Sequence, residues 1–177
     1  GADAINLGLG QPDFPAPKNA RQAAVEAIQA GDADAYTGNK GIRPLREAIA
    51  AKHERDQDVA VDPGDVIATA GGSEALHLAM EAHVDAGQEV LLPDPGFVSY
   101  DALTKLAGGE PVPVPLRDDL TLDPAAVEDA ITDDTAAFVV NSPGNPTGAV
   151  SDEDDVREFA RIADEHDVIC ISDEVYE

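Results

Sequence analysis

Residues 136–148, AAFVVNSPGNPTG, decide how this chain is read. The stretch opens on five apolar residues, Ala136 to Val140 (two alanines, Phe138 and two β-branched valines), with no polar alternation. Such a run predicts a strand buried on both faces, as in a parallel sheet covered by helices. It then breaks into turn formers: Asn141, Ser142, Pro143, Gly144, Asn145, Pro146 and Gly148. Two prolines fix φ and remove backbone donors, which predicts a stiff loop. In an open α/β sheet, ligands sit just beyond the carboxyl ends of parallel strands. A rigid loop at that place can hold one polar side chain, Asn145, at a fixed position.

Working outward, apolar runs alternate with helical patterns. Val66–Ala70, Glu89–Leu92, Pro111–Leu116 and Val168–Ser172 read as further strands, the third near an edge because of its prolines. Helices are expected over Asn19–Ala30, stopped by Gly31, and from Pro44 with Leu45, Ala48 and Ile49 inward. A third follows Gly71-Gly72-Ser73, with Ala75, Leu76, Ala79, Met80 and Val84 as its buried stripe. Others run from Phe97-Val98-Ser99-Tyr100 to Ala107 and from the Asp123 cap with Pro124 behind it. The last is expected to be capped by Ser151, with Val156, Phe159, Ala160 and Ala163 inward. Alternating strands and helices imply an α/β fold, a three-layer sandwich around a mostly parallel sheet.

Strand, glycine turn and helix N-terminus at residues 66–76 make an anion site in outline. Free N–H groups and the helix dipole favour phosphate, and the Ser73 hydroxyl can donate. A P-loop lysine is absent. Gly8-Leu9-Gly10 is no dinucleotide fingerprint, since Pro12 follows and the third glycine is missing.

The 177 residues carry a net charge of −25 and 43% hydrophobic residues. That hydrophobic share is too high for a disordered chain. The acidity argues against nucleic acid and anionic membrane surfaces, and 4% aromatics with no Trp leave few platforms for stacking bases. Acidic residues spread along the whole chain and lysine is scarce, which suggests a salt-adapted (halophilic) cytoplasmic protein. One cysteine, Cys170, excludes an internal disulfide and reads as a buried small hydrophobe. His77 and His83 stand six apart on one helix, off the metal-ligand spacing, and no metal site is expected. Asp152 to Asp155 read as a helix start rather than a metal cluster. No apolar stretch is long enough to span a bilayer.

Asn145-Pro146-Thr147-Gly148, followed by Ser172-Asp173-Glu174-Val175-Tyr176, resembles the signature of fold-type I, class I/II aminotransferases that use pyridoxal phosphate (PLP), of the aspartate-aminotransferase type. The resemblance implies that Gly72 and Ser73 hold the cofactor phosphate and that Phe97 stacks on its ring. It implies that Asn145 hydrogen-bonds the ring O3′ and the substrate carboxylate, that Asp173 pairs with the ring nitrogen, and that Tyr176 hydrogen-bonds O3′. A tyrosine at the place of Tyr36 reaches the phosphate of a neighbouring subunit in the family, which implies a homodimer. A glycine at the place of Gly10 approaches the substrate. The implied reaction moves an amino group between an amino acid and a 2-oxo acid, as amino-acid metabolism and biosynthesis require.

The same resemblance divides the chain into an N-terminal arm with the first helix (1–35) and a partial PLP-binding large domain (36–177). It assigns the Schiff-base lysine, the substrate-clamping arginine and the small domain to sequence beyond Glu177. The chain is therefore expected to be a fragment without activity of its own, with no catalytic residue inside it. Another fold-type I PLP enzyme, such as a β-lyase, or a non-catalytic PLP-binding regulatory domain remains the alternative.

Overall fold

The computed structural model describes residue 10 and residues 12–176, in two compact units that divide between Ala68 and Thr69. The residues of the expected loop before Gly10 therefore lie outside the described residues.

The first unit holds α1 (Lys18–Ala30) and α2 (Arg43–Gln57). Gly31 ends α1 in the left-handed region (φ 79°), and its N–H returns to the Ala27 and Ile28 carbonyls. Pro44 sits in the first turn of α2, where its missing N–H costs nothing. Ala50 is the buried residue of α2, whereas Leu45 and Ala48, expected inward, are exposed. The register of the apolar face is shifted because this helix packs through its middle rather than its first turn. Val66–Ala70 forms no strand: an apolar run becomes one only where a neighbour supplies ladder partners. Here the Ala68 N–H is taken by the Lys40 carbonyl (3.0 Å).

The second unit runs α3 (Gly72–His83), β1 (Glu89–Asp94), α4 (Ser99–Leu106), β2 (Glu110–Pro115), α5 (Pro124–Ala130), β3 (Thr135–Asn141), α6 (Glu153–His166) and β4 (Ile169–Asp173). The four strands pair in parallel in the order β2-β1-β3-β4, with proline-rich β2 at one edge. Its prolines survive there because an edge strand needs ladder donors on one side alone.

Strand period 2 divides the core. Leu91, Phe138 and Val140 face a cluster with Val127 of α5 and Phe159 and Ile162 of α6. Val90, Leu92, Ala137 and Val139 face the opposite cluster with Leu76 and Met80 of α3 and Tyr100 of α4. Helices thus cover both faces, and the apolar run that opened the reading is buried on each.

Three local expectations shift. Asp152, not Ser151, caps α6 by accepting from Asp155 N (2.8 Å), because α6 begins at Glu153 and the cap is the residue just before it; Ser151 lies one step upstream, its N–H donating to Ser142 Oγ (3.0 Å). The buried stripe of α6 is Phe159 and Ile162, while Val156 and Ala160 are exposed. In α3, Leu76 and Met80 are buried and Ala75 is exposed, since i, i+4 spacing keeps a single row against the sheet.

The chain leaves β1 to one side for β2, then returns to lay β3 and β4 on the other. The order reverses between β1 and β3, and a crevice outside the carboxyl ends of the strands follows from that reversal.

Candidate active site

Three strand exits and one helix start build the site. At the end of β1, Gly96 makes the turn: a Cβ there would lie 2.3 Å from the Pro93 carbonyl oxygen, so no other residue fits this backbone. The turn delivers Phe97, whose ring meets Tyr100 edge-on at 5.6 Å and 83°.

The β3 exit is as stiff as its composition predicts. Gly144 N donates to Ala149 O (2.8 Å) and Gly148 N to Gly144 O (2.7 Å). Both the Ser142–Pro143 and Asn145–Pro146 peptides are cis. Asn141 Oδ1 accepts from the Asn145 N–H (2.7 Å), which anchors the residue singled out in the sequence.

β4 ends on Asp173. Its Oδ2 accepts from the Tyr100 hydroxyl (2.7 Å), and its main-chain carbonyl accepts from Asn141 Nδ2 (2.8 Å). Tyr100 is almost wholly buried. Burial, and then the hydrogen bond to the Asp173 carboxylate, push its phenol pKa well above the ordinary value, so it stays a donor.

α3 starts at Gly72, behind Gly71 at φ 113°, a backbone that favours glycine. By position, the N–H groups of the first turn have no helical acceptor. A Cβ added at Gly72 would meet no atom within 4 Å, so the space beside this backbone is open.

Gly72, Ser73, Phe97, Asn145, Asp173 and Tyr176 all line one cavity of about 170 Å³, together with Leu76, Asn141 and Val175. The structure therefore brings together six residues chosen from positions spread over more than half the chain. Tyr36 and Gly10 lie in the first unit, and both are exposed.

Sequence reasoning missed Tyr100 and Asn141. Tyr100 had one signal, its place three residues after Phe97 in the first turn of the helix that follows, and Asn141 had its place as the last residue of a buried strand. Neither signal specifies a partner.

The donor set has a definite chemistry. Helix N–H groups and the Ser73 hydroxyl suit an anion, and Asp173 suits a protonated nitrogen. The Asn145 amide and Tyr176 hydroxyl suit an oxygen acceptor, and Phe97 suits a flat apolar face. A phosphorylated aromatic ring carrying a basic nitrogen and a phenolic oxygen fits this set.

Other candidates dissolve. Among the described residues no group of three or more His, Cys, Asp or Glu could hold a metal, and no helix is long and apolar enough to cross a membrane. Asp152 caps α6, and Asp155 pairs with Arg117 (2.5 Å). Burial pushes the Cys170 thiol up to about 11, which keeps it protonated and unreactive near neutral pH. Lys40 donates to the Gly64 carbonyl, while Lys52 and Lys105 pair with Asp56 and Asp101. None of these lysines lines the cavity.

The family model for aminotransferase class I and II matches residues 2–177. The probable aspartate aminotransferase of Methanocaldococcus jannaschii is 42% identical over 176 residues, 99% of this chain and 47% of that protein. The aspartate aminotransferase of Bacillus subtilis is 38% identical over 179 residues, 100% of this chain and 45% of that protein. Among solved structures, Thermus thermophilus aspartate aminotransferase with maleate superposes at TM-score 0.92 and 42% identity, covering 96% of this chain and 44% of that one. An aromatic aminotransferase from Pyrococcus horikoshii does so at 0.94 and 42%, covering 99% and 48%. The chain spans about half the length of the curated relatives it matches. With the match running from residue 2 to residue 177 and the sheet, loop and cavity assembled as described, the chain belongs to the class I and II aminotransferase family.

Proposed function

We propose that the protein carrying this sequence is a PLP-dependent aminotransferase, which moves an amino group between an amino acid and a 2-oxo acid. The observation that carries this reading is the shared cavity of Gly72, Ser73, Phe97, Asn145, Asp173 and Tyr176. Relatives of equal identity are named for aspartate, aromatic and N-succinyldiaminopimelate transamination, so similarity selects the reaction and not the donor.

Pyridoxal phosphate supplies a sink for the electrons released at the amino-acid α-carbon. The chain's own residues prepare the ground for that. Main-chain N–H groups at Gly72 and Ser73, with the Ser73 hydroxyl, bind the phosphate. Phe97 covers the ring face and keeps water from it. Asp173 holds a proton on the ring nitrogen, because a nearby carboxylate favours the charged form. Asn145 and Tyr176 donate to the phenolic oxygen. Asn145 also orients the substrate carboxylate, and Gly10 leaves room for the substrate beside its backbone.

Tyr36, fully exposed on its own unit, is free to serve the phosphate of a neighbouring subunit in a homodimer. The acidic composition supports a salt-adapted protein of the cytoplasm. For the domain division we retain an arm with the first helix over residues 1–35 and a PLP-binding domain from residue 36.

The test uses the protein that carries this sequence, loaded with PLP. An added amino acid should convert the bound chromophore to its pyridoxamine form, and a 2-oxo acid should restore it. Failure to bind PLP at micromolar concentration, or consumption of the amino acid without that cycle, would reject the reading.

A further inference from the structure

We propose that Asn141 is a positioning residue whose side-chain amide locks Asn145 and Asp173 into one frame. The inference rests on reading the cavity as a PLP site, but its geometry stands apart from that reading.

β3 and β4 run parallel, and Asn141 pairs with Asp173 at the end of their register. Beyond this pair the strands part: one chain enters the loop toward α6, and the other turns toward Val175. Main-chain groups lose their ladder partners at such a divergence and must find others. The Asn141 amide supplies two. Nδ2 donates to the Asp173 carbonyl at 2.8 Å, and Oδ1 accepts from the Asn145 N–H at 2.7 Å.

An amide is the one side-chain group of this length with a donor and an acceptor on a single plane. Its orientation is set by the partners, since a flip would put N–H against N–H and oxygen against oxygen. An ionised aspartate would keep the Asn145 bond and lose the other; an alanine would lose both.

The two anchors on Asp173 restrain different freedoms. Tyr100 holds the carboxylate, whereas Asn141 holds the main chain beneath it. Through Asn141, the offset between the Asp173 carboxylate and the Asn145 side chain is set before a ligand arrives. Preorganisation of that kind is what a binding site loses when its supporting residues are removed.

The test compares the PLP-loaded parent protein with Asn141→Asp and Asn141→Ala. Three quantities are read: PLP affinity, the induced circular dichroism per bound PLP, and hydrogen exchange at the Asn145 amide. Asn141→Asp should bind PLP about tenfold more weakly, the size of one lost hydrogen bond, and Asn141→Ala more weakly still, since it loses both. Both should show reduced dichroism, because the Asp173 main chain loses its Asn141 anchor in each. Exchange at Asn145 should stay slow in Asn141→Asp and become fast in Asn141→Ala.

Dichroism per bound PLP equal to the parent's in both variants, with only the melting temperature lowered, would overturn the proposal and leave Asn141 a plain structural residue. If Asn141→Ala does not fold, the Asn141→Asp arm decides alone. If the parent binds no PLP, the functional reading falls instead. The exchange arm then still decides, since Asn145 protection unchanged in Asn141→Ala would overturn the clasp.

Discussion

The Tyr100 hydroxyl donates to Asp173 Oδ2 across 2.7 Å, from the first turns of α4 to the last residue of β4. A phenolate at this buried place would face a carboxylate, so burial and then Asp173 hold Tyr100 protonated well above pH 10. The sign follows. With its folded pKa raised, Tyr100 contributes stability that is complete below the unfolded value near 10 and is lost as pH climbs toward the folded value. Tyr100→Phe should therefore leave unchanged the phenolate absorbance reached by about pH 11. One of three tyrosines is being removed, so a loss of about one third would show Tyr100 titrating normally.

Asp173→Asn keeps the shape of the side chain and removes its charge. In the PLP-loaded protein it should still bind the cofactor through the phosphate site and slow the amino-acid half-reaction at least about a hundredfold. The loss should fall on the rate of that half-reaction rather than on substrate affinity. Near-parental single-turnover rates would show that Asp173 does not set the protonation of the ring.

Phe138 is fully buried in the centre of β3, with its ring 6.1 Å from that of Phe159. Phe138→Ala should cost about 3–5 kcal/mol through lost burial and the cavity left behind. Chemical denaturation reads this directly as a lowered midpoint at constant slope. A shift worth less than about 1 kcal/mol would mean the core closes over the gap.

A net charge of −25 makes the folded chain repel itself. The screening length falls from about 10 Å at 0.1 M salt to about 3 Å at 1 M, so molar KCl should raise the melting temperature. A melting temperature indifferent to KCl over that range would remove salt adaptation as the reason for the composition.

How much of this was legible in advance depends on the range of the interaction. Residues 136–148 announced a doubly buried strand and a stiff loop because strand period, proline φ and glycine turns act within a few residues. The Asp123 cap and the Gly31 stop were readable on the same ground. Gly72, Ser73 and Asn145 were also legible locally, from a glycine turn before a helix and a stiff strand exit; Phe97, Asp173 and Tyr176 were found by resemblance, because no local rule makes Phe97 and Asp173 neighbours.

Tertiary structure decided the rest. Val66–Ala70 is apolar enough for a strand, yet the Lys40 carbonyl takes the Ala68 N–H, and pairing is a property of what lies alongside. Asp152 rather than Ser151 is the cap because α6 starts at Glu153, while Ser151 is tied through its N–H to Ser142, nine residues away. Tyr100 and Asp173 stand 73 positions apart, and Asn141 and Asp173 stand 32 apart. By itself the sequence determined most of the elements, the layer order they require and the type of chemistry each loop could carry. Which side chains meet was settled by the strand order β2-β1-β3-β4, because a hydrogen bond reaches only about 3 Å and the fold alone brings distant residues that close.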